Sequence, residues 1–230
     1  MITKNKQLKI QISSTNHLEL HTVNTIEKKQ PKLTIALLAA GQASRFGSPK
    51  QLARYQGKTL IERSITLLET IPAETIADTI NSEILIITGA HHPVIHQHLT
   101  NISKDQYVVF NQDWQKGMSS SIKTAVTHCS KNSVGIMFVT VDQIHITPKD
   151  IQSLINCWQQ ETSRITCAQY ADHQGVPAIF PREYFSKLLN LQDDKGARSL
   201  IKSAPNVNAI LLPNAELDID TVEQLNAQII

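Results

Sequence analysis

The chain has 230 residues, 41% of them hydrophobic, and a formal net charge of +2, enough to bury one sizeable α/β core or at most two domains. The small charge, the dispersal of its basic residues and an aromatic content of 5% argue against nucleic-acid or membrane-surface partners. No apolar stretch approaches the roughly 20 residues needed to cross a bilayer, and the first residues lack an apolar signal core, so a cytoplasmic protein is expected.

Residues 1–31 carry polar runs and a loose alternation at Leu8, Ile10 and Ile12, which fits a short hairpin, an edge strand or a partly ordered arm. From residue 32 to 230 one domain is expected. Apolar runs of strand length at 33–39, 84–88, 107–110, 134–141, 165–169 and 207–212 alternate with helix-like segments, and this alternation predicts an α/β fold with a mostly parallel sheet covered on both faces, three layers in all. Thr59-Leu60-Ile61-Glu62 is a capping box ahead of the amphipathic run 60–70. Residues 71–82 read as a connecting loop. A helix is expected near Ser119, another after Pro181, and Thr147-Pro148 supplies a cap and a first-turn proline for a helix to about Gln160. Cys129, Cys157 and Cys167 are odd in number and far apart, which suits reduced thiols rather than a disulfide framework or a zinc site.

The richest stretch follows the first apolar run. Leu38-Ala39-Ala40-Gly41 leads into Gln42-Ala43-Ser44-Arg45-Phe46-Gly47-Ser48-Pro49-Lys50, a strand feeding a tight loop of small residues. Such a loop lets backbone N–H groups approach a polyphosphate, and Arg45 and Lys50 can neutralise its charge. Spacing excludes two familiar phosphate loops: five residues separate Gly41 from Gly47, with Lys50 three further on, which is not a Walker A pattern, and G-x-G-x-x-G is absent. The apolar run 134–141 should be a central strand that delivers Asp142 to the carboxyl edge of the sheet, where ligands of open α/β sheets bind. A carboxylate there can hold Mg²⁺ against phosphates or merely cap a turn. Near the far end of the chain, Asp218 and Asp220 precede a helix, where capping alone would account for acidic residues. His92 and His96 are spaced i, i+4 with His91 and His98 near; without a Cys or Glu partner they read as a solvated helix face rather than a metal pair.

The loop L-A-A-G-x-x-x-R-x-G-x-x-K resembles that of the MobA-like nucleotidyltransferases. The segment Leu217-Asp218-Ile219-Asp220-Thr221 resembles the ending of the same family, and further pieces are closest to its molybdenum cofactor cytidylyltransferase branch: Trp114-Gln115-Lys116-Gly117-Met118-Ser119-Ser120-Ser121, Gly175-Val176-Pro177 and Asp194-Lys195-Gly196-Ala197-Arg198. The resemblance implies a Rossmann-like fold of the nucleotide-diphospho-sugar transferase type and transfer of CMP from CTP to the terminal phosphate of molybdopterin, with release of pyrophosphate. It implies Mg²⁺ held by Asp142 and Asp220, with Asp218 too close in sequence to be set aside. Lys50 and Arg45 are implied as catalytic, and Leu38, Ala39, Ala40, Gly41, Gly47, Lys50, Gly117, Ser119 and Ser120 as nucleotide contacts. A molybdoenzyme receiving the product is a further implied partner. Ile144 and Val176 replace the Pro and His usual in the family, in segments expected to line the acceptor site, and Val222 replaces a Pro. Two alternatives stand beside this reading: transfer to a sugar phosphate or other phosphate, and a non-catalytic protein that delivers the cofactor.

Overall fold

The computed structural model describes residues 30–71, 80–192 and 196–228. The expected arm or hairpin over 1–31 therefore lies almost wholly outside the described residues, as do Asp194 and Lys195.

Strand β1 (Lys32–Ala39) is the hub of a seven-stranded sheet. After a short hairpin, β2 (Arg54–Tyr55) and β3 (Lys58–Thr59), comes α1 (Leu60–Glu69), whose start carries the expected capping box: the Thr59 hydroxyl accepts from Glu62 N–H and the Glu62 carboxylate from Thr59 N–H. Strand β4 (Asn81–Thr88) begins three residues before its apolar run, so the end of the expected loop 71–82 is strand: Asn81 and Ser82 pair with Lys32 and Leu33 of β1. Then follow α2 (His92–Asn101), β5 (Val108–Phe110), α3 (Met118–His128), β6 (Ser133–Thr140) and α4 (Pro148–Gln160). The second half adds β7 (Ile165–Tyr170), β8 (His173–Pro181), α5 (Phe185–Leu189), α6 (Arg198–Ser203), β9 (Val207–Leu211) and α7 (Val222–Asn226).

The strand order is β5-β4-β1-β6-β8-β7-β9. Only β8 runs against the others, since it is antiparallel to both β6 and β7, whereas β1 with β4, β1 with β6, β4 with β5 and β7 with β9 are parallel. The mostly parallel sheet is thus present as a mixed one. Alternate residues of β1 fill opposite cores, as its period of two requires. Leu33, Ile35 and Leu37 pack with Ile61 and Ile65 of α1, Ile95 of α2 and Trp158 of α4. Ala36 and Leu38 pack with Ile122 of α3, Leu188 of α5 and Ile201 of α6. Gly135 of β6 is small for a reason, because a Cβ there would stand 2.7 Å from the indole of Trp158. Cys167 is buried within the second core, and that burial pushes its thiol up to about 12, so it stays protonated and inert.

A third, smaller apolar cluster lies at the carboxyl edge of the sheet. Phe46, Tyr55, Leu60, Ile144, Ile219 and Leu225 form it, drawing together the loop after β1, the small hairpin, the residues after β6 and the approach to α7. Among the described residues no helix is long and apolar enough to cross a membrane.

Candidate active site

The chain runs from β1 outward through β4 to β5, then returns to place β6 on the other side of β1. That reversal opens a crevice outside the carboxyl ends of β1 and β6, the place where open α/β sheets bind ligands. A cavity of about 260 Å³ occupies it, lined by Leu38, Ala39, Gly41, Arg45, Lys50, Asp142 and Asp220 among others. Three chain segments far apart in sequence therefore meet where the fold predicts a ligand.

The loop after β1 is shaped by two short 3₁₀ turns, Ser44–Phe46 and Lys50–Leu52. Gly47 ends the first with φ 73°, a left-handed conformation that costs glycine little. A Cβ added at Gly41 would meet nothing within 4 Å, so the cavity is open directly above its backbone. The second turn aims Lys50 inward: its Nζ donates to Asp142 Oδ2 at 2.9 Å and Asp220 Oδ1 at 3.3 Å, while its side chain is only 11% exposed. Arg45 reaches the other Asp220 oxygen at 2.8 Å from a side chain that is 73% exposed. Both carboxylates thus converge on one point now held by an ammonium group.

The backbone fixes this convergence. Asp142 O accepts from Ile219 N–H at 3.1 Å, and Ile144 and Ile219 pack together in the third cluster. Ile144 therefore anchors the acidic segments, and Val176 packs against the second core; neither side chain lines this cavity. Asp218 keeps an exposed surface, yet crowding by protein atoms, then the charges of Asp142 and Asp220, push its carboxyl up to about 6 against the pull of Lys50 and Arg198. It makes no contact with Lys50, whereas Asp220 does.

The small-residue turn before α3 reaches the cavity only through Met118. Gly117 adopts φ 83°, ψ −170°, open to glycine but strained for other residues. Ser119 and Ser120 are buried. Ser120 Oγ donates to Gly117 O at 2.8 Å and accepts from Asn111 Nδ2 at 2.8 Å. These residues and Gly47 and Ala40 do not line the cavity; from this segment Met118 does. Ala40 instead packs beside Gly89, where a Cβ would come within 2.5 Å of Ala40 O.

Two glutamines escaped the sequence reading. Gln51 is buried, and its Nε2 donates to Ala39 O at 2.9 Å and Gly41 O at 3.0 Å; two carbonyl acceptors fix which way its amide faces. Its Oε1 has no partner in the protein, and the residue lines the cavity. Gln143 donates to Val176 O at 3.0 Å and Ala215 O at 2.8 Å, tying the residue after Asp142 to β8 and to the approach to Asp220. The only signal for either was its place next to a charged residue.

His92 stacks on Phe110 with centroids 4.3 Å apart and shares a hydrogen bond with Thr88 at 2.8 Å, and His98 lies 3.3 Å from Glu62. These contacts give both rings structural partners. Among the described residues no three His, Cys, Asp or Glu side chains gather as a metal cluster. Two carboxylates are nevertheless a sufficient protein contribution for Mg²⁺, which takes its other ligands from phosphates and water; Asp142 and Asp220 fit such an ion.

Comparison with known proteins places this geometry in context. Residues 35–208 match the family described as MobA-like NTP transferase domain. A probable molybdenum cofactor guanylyltransferase of Rhodopirellula baltica is 25% identical over 194 residues, covering 81% of this chain and 86% of that protein. The crystal structure of Rv0371c from Mycobacterium tuberculosis H37Rv superposes with a TM-score of 0.71 at 23% identity, over 85% of this chain and 97% of that one. Molybdopterin-guanine dinucleotide biosynthesis protein A from Archaeoglobus fulgidus gives a TM-score of 0.62 at 14% identity, over 84% and 95%.

Proposed function

This chain belongs to the MobA-like NTP transferase family, and from that premise we propose that it transfers CMP from CTP to the terminal phosphate of molybdopterin, releasing pyrophosphate. The observation that carries the reading is the meeting of Lys50, Asp142 and Asp220 at the crevice between β1 and β6. A buried ammonium group between two carboxylates, beside an open glycine, is suited to a substrate that brings its own negative charge and a divalent cation.

In this reading an oxygen of the acceptor phosphate attacks the α-phosphorus of the nucleotide, the bond from that phosphorus to the bridging oxygen breaks, and pyrophosphate leaves with the electron pair. No covalent bond to the protein forms. A Mg²⁺ held by Asp142 and Asp220 would supply charge neutralisation to the phosphate oxygens. Lys50 turns from the carboxylates toward the triphosphate, and Arg45, exposed at the rim, meets the leaving pyrophosphate. Gln51 holds the carbonyls of Ala39 and Gly41 so that the loop keeps its shape while the charge moves. Catalysis of this kind rests on alignment and on preset charge.

The choice of CTP rests on the resemblance of Leu38-Ala39-Ala40-Gly41 to the cytidylyltransferase branch. A second reading, GTP as donor, is favoured by the name of the Rhodopirellula baltica relative. Pyrophosphate release with Mg²⁺, molybdopterin and each of CTP, GTP, ATP and UTP decides between them: release with CTP alone is expected, and release with GTP alone would replace the donor while keeping the reaction. Asp142→Ala is expected to lower kcat on the order of 10³-fold or more and to weaken Mn²⁺ binding in the nucleotide complex by electron paramagnetic resonance. Unchanged Mn²⁺ affinity would remove Asp142 from the metal site.

A further inference from the structure

The two carboxylates keep their places by bonds that do not involve Lys50. Asp142 O accepts from Ile219 N–H at 3.1 Å, and Gln224 Oε1 of α7 accepts from Asp220 N–H at 2.7 Å and Thr221 N–H at 3.0 Å. Ile144, Ile219 and Leu225 pack the same segments together. The backbone of Lys50 is fixed just as independently, since Ala53 N–H donates to Lys50 O at 3.0 Å and the neighbouring Gln51 holds the carbonyls of Ala39 and Gly41. The ion pair therefore occupies a prearranged meeting of two acids and does not build it.

Charges balance at that meeting: the ammonium of Lys50 and the guanidinium of Arg45 stand against Asp142 and Asp220. Arg45 is exposed, so solvent screens it. Lys50 is buried and donates to one oxygen of each acid. A divalent cation coming to these carboxylates thus competes with a positive charge already seated on them. Displaced with nothing to receive it, the lysine would become an unpaired buried charge, which is strongly unfavourable. A polyphosphate changes this balance, because the side chain, which lines the cavity of about 260 Å³, can exchange carboxylate oxygens for phosphate oxygens and free both acids in one motion.

Resting on the reading above that Asp142 and Asp220 receive a divalent cation, we infer that Lys50 is a tethered counter-ion: it fills the cation site of the substrate-free protein and yields it when a nucleotide's phosphates arrive. One movement of the lysine serves both ligands, so each strengthens the other, and by linkage the factor is the same in both directions. The contact is autoinhibitory toward free divalent cations and is released by the substrate itself. Direct contact between metal and phosphate also couples the two ligands, so the quantity that isolates Lys50 is the metal affinity with no nucleotide present.

The test is Mn²⁺ binding to nucleotide-free protein, followed by electron paramagnetic resonance in the wild type, Lys50→Met and Lys50→Arg. Lys50→Met, of similar reach but uncharged, should bind Mn²⁺ at least about tenfold more tightly than the wild type, within the usual range of coupling between sites, whereas Lys50→Arg should stay within about threefold. Lys50→Gln supplies the same comparison if the methionine variant does not fold. The gain should vanish in Lys50→Met/Asp142→Asn, and a gain that persists there would put the metal elsewhere and overturn the inference. Equal affinity in the wild type and the uncharged variants overturns it as well. So does equal tightening by Lys50→Met and Lys50→Arg, which would make shape rather than charge the cause. None of these measurements needs turnover, so failure of CTP or molybdopterin as a substrate leaves the inference standing. Failure of the metal site itself shows separately, as unchanged Mn²⁺ affinity of Asp142→Ala in the nucleotide complex, and that result overturns both.

Discussion

The loop after β1 and the turn that opens α3 have the same composition, small residues around a glycine with a cation near, yet they are built to opposite ends. In the turn the hydrogen-bonding capacity is spent inside the protein, with Ser120 held by Gly117 O and Asn111 and shut away from solvent. In the loop the capacity is kept for the cavity: nothing covers Gly41, and two side chains brace the backbone, Gln51 at the carbonyls of Ala39 and Gly41 and His91 at that of Gln42. Residue type alone does not mark a binding loop; what matters is whether the polar groups are already satisfied.

The contrast can be broken most sharply at Lys50. Lys50→Ala should lower kcat by about 10²–10³-fold, the usual cost of removing one preset charge at a transition state, and equal turnover in steady-state pyrophosphate release would sink the catalytic role. Gln51→Met keeps the volume and removes the brace. It should raise the nucleotide KM roughly tenfold, since small displacements of positioning groups are costly, and an unaltered KM would mean the loop holds itself. Ser120→Ala probes the other region, where activity should change less than about threefold while denaturant unfolding reveals a loss of about 0.5–1.5 kcal/mol, since the Asn111 amide loses one partner and keeps its bond to Ser121 Oγ. A large activity loss without a stability loss would make the turn a nucleotide contact after all. Arg45→Ala breaks only an exposed ion pair, so stability should move by less than about 1 kcal/mol, and any larger shift in thermal unfolding would show the rim to be structural.

The fold was legible wherever an apolar run coincided with a strand, and it failed where local rules were broken. Strand β8 contains Pro177, which reads against an inner strand. It is tolerated because Val176 and Pro177 fall at the irregularity where β7 shifts register between Cys167 and Ala168, and β6 pairs only from Ala178 onward. The two-residue strands β2 and β3 are too short to show a period, although Gln56 and Gly57, both at positive φ, form the turn between them. Lys50 stands out as a cation in a loop of small residues and Asp142 as the end of an apolar strand run, whereas Asp220 is singled out only by the family resemblance. Gln143 goes unmarked, because one of its partners, Ala215, lies 72 residues away, and no local pattern encodes such a bond.

The small apolar cluster at the carboxyl edge also bears on the order of events in synthesis. Lys50 and Asp220 are separated by 170 residues, and Ile219 and Leu225 are needed to complete the packing that holds Phe46 and Ile144. Contacts so distant in sequence form slowly and late. A chain emerging from the ribosome could build the sheet from β1 to β6 and present Lys50 and Asp142 long before Asp220 exists. The second carboxylate is made long after the first, so the growing chain would hold Lys50 and Asp142 without their third partner until the docking of residues 217–225 completes the cluster in one step.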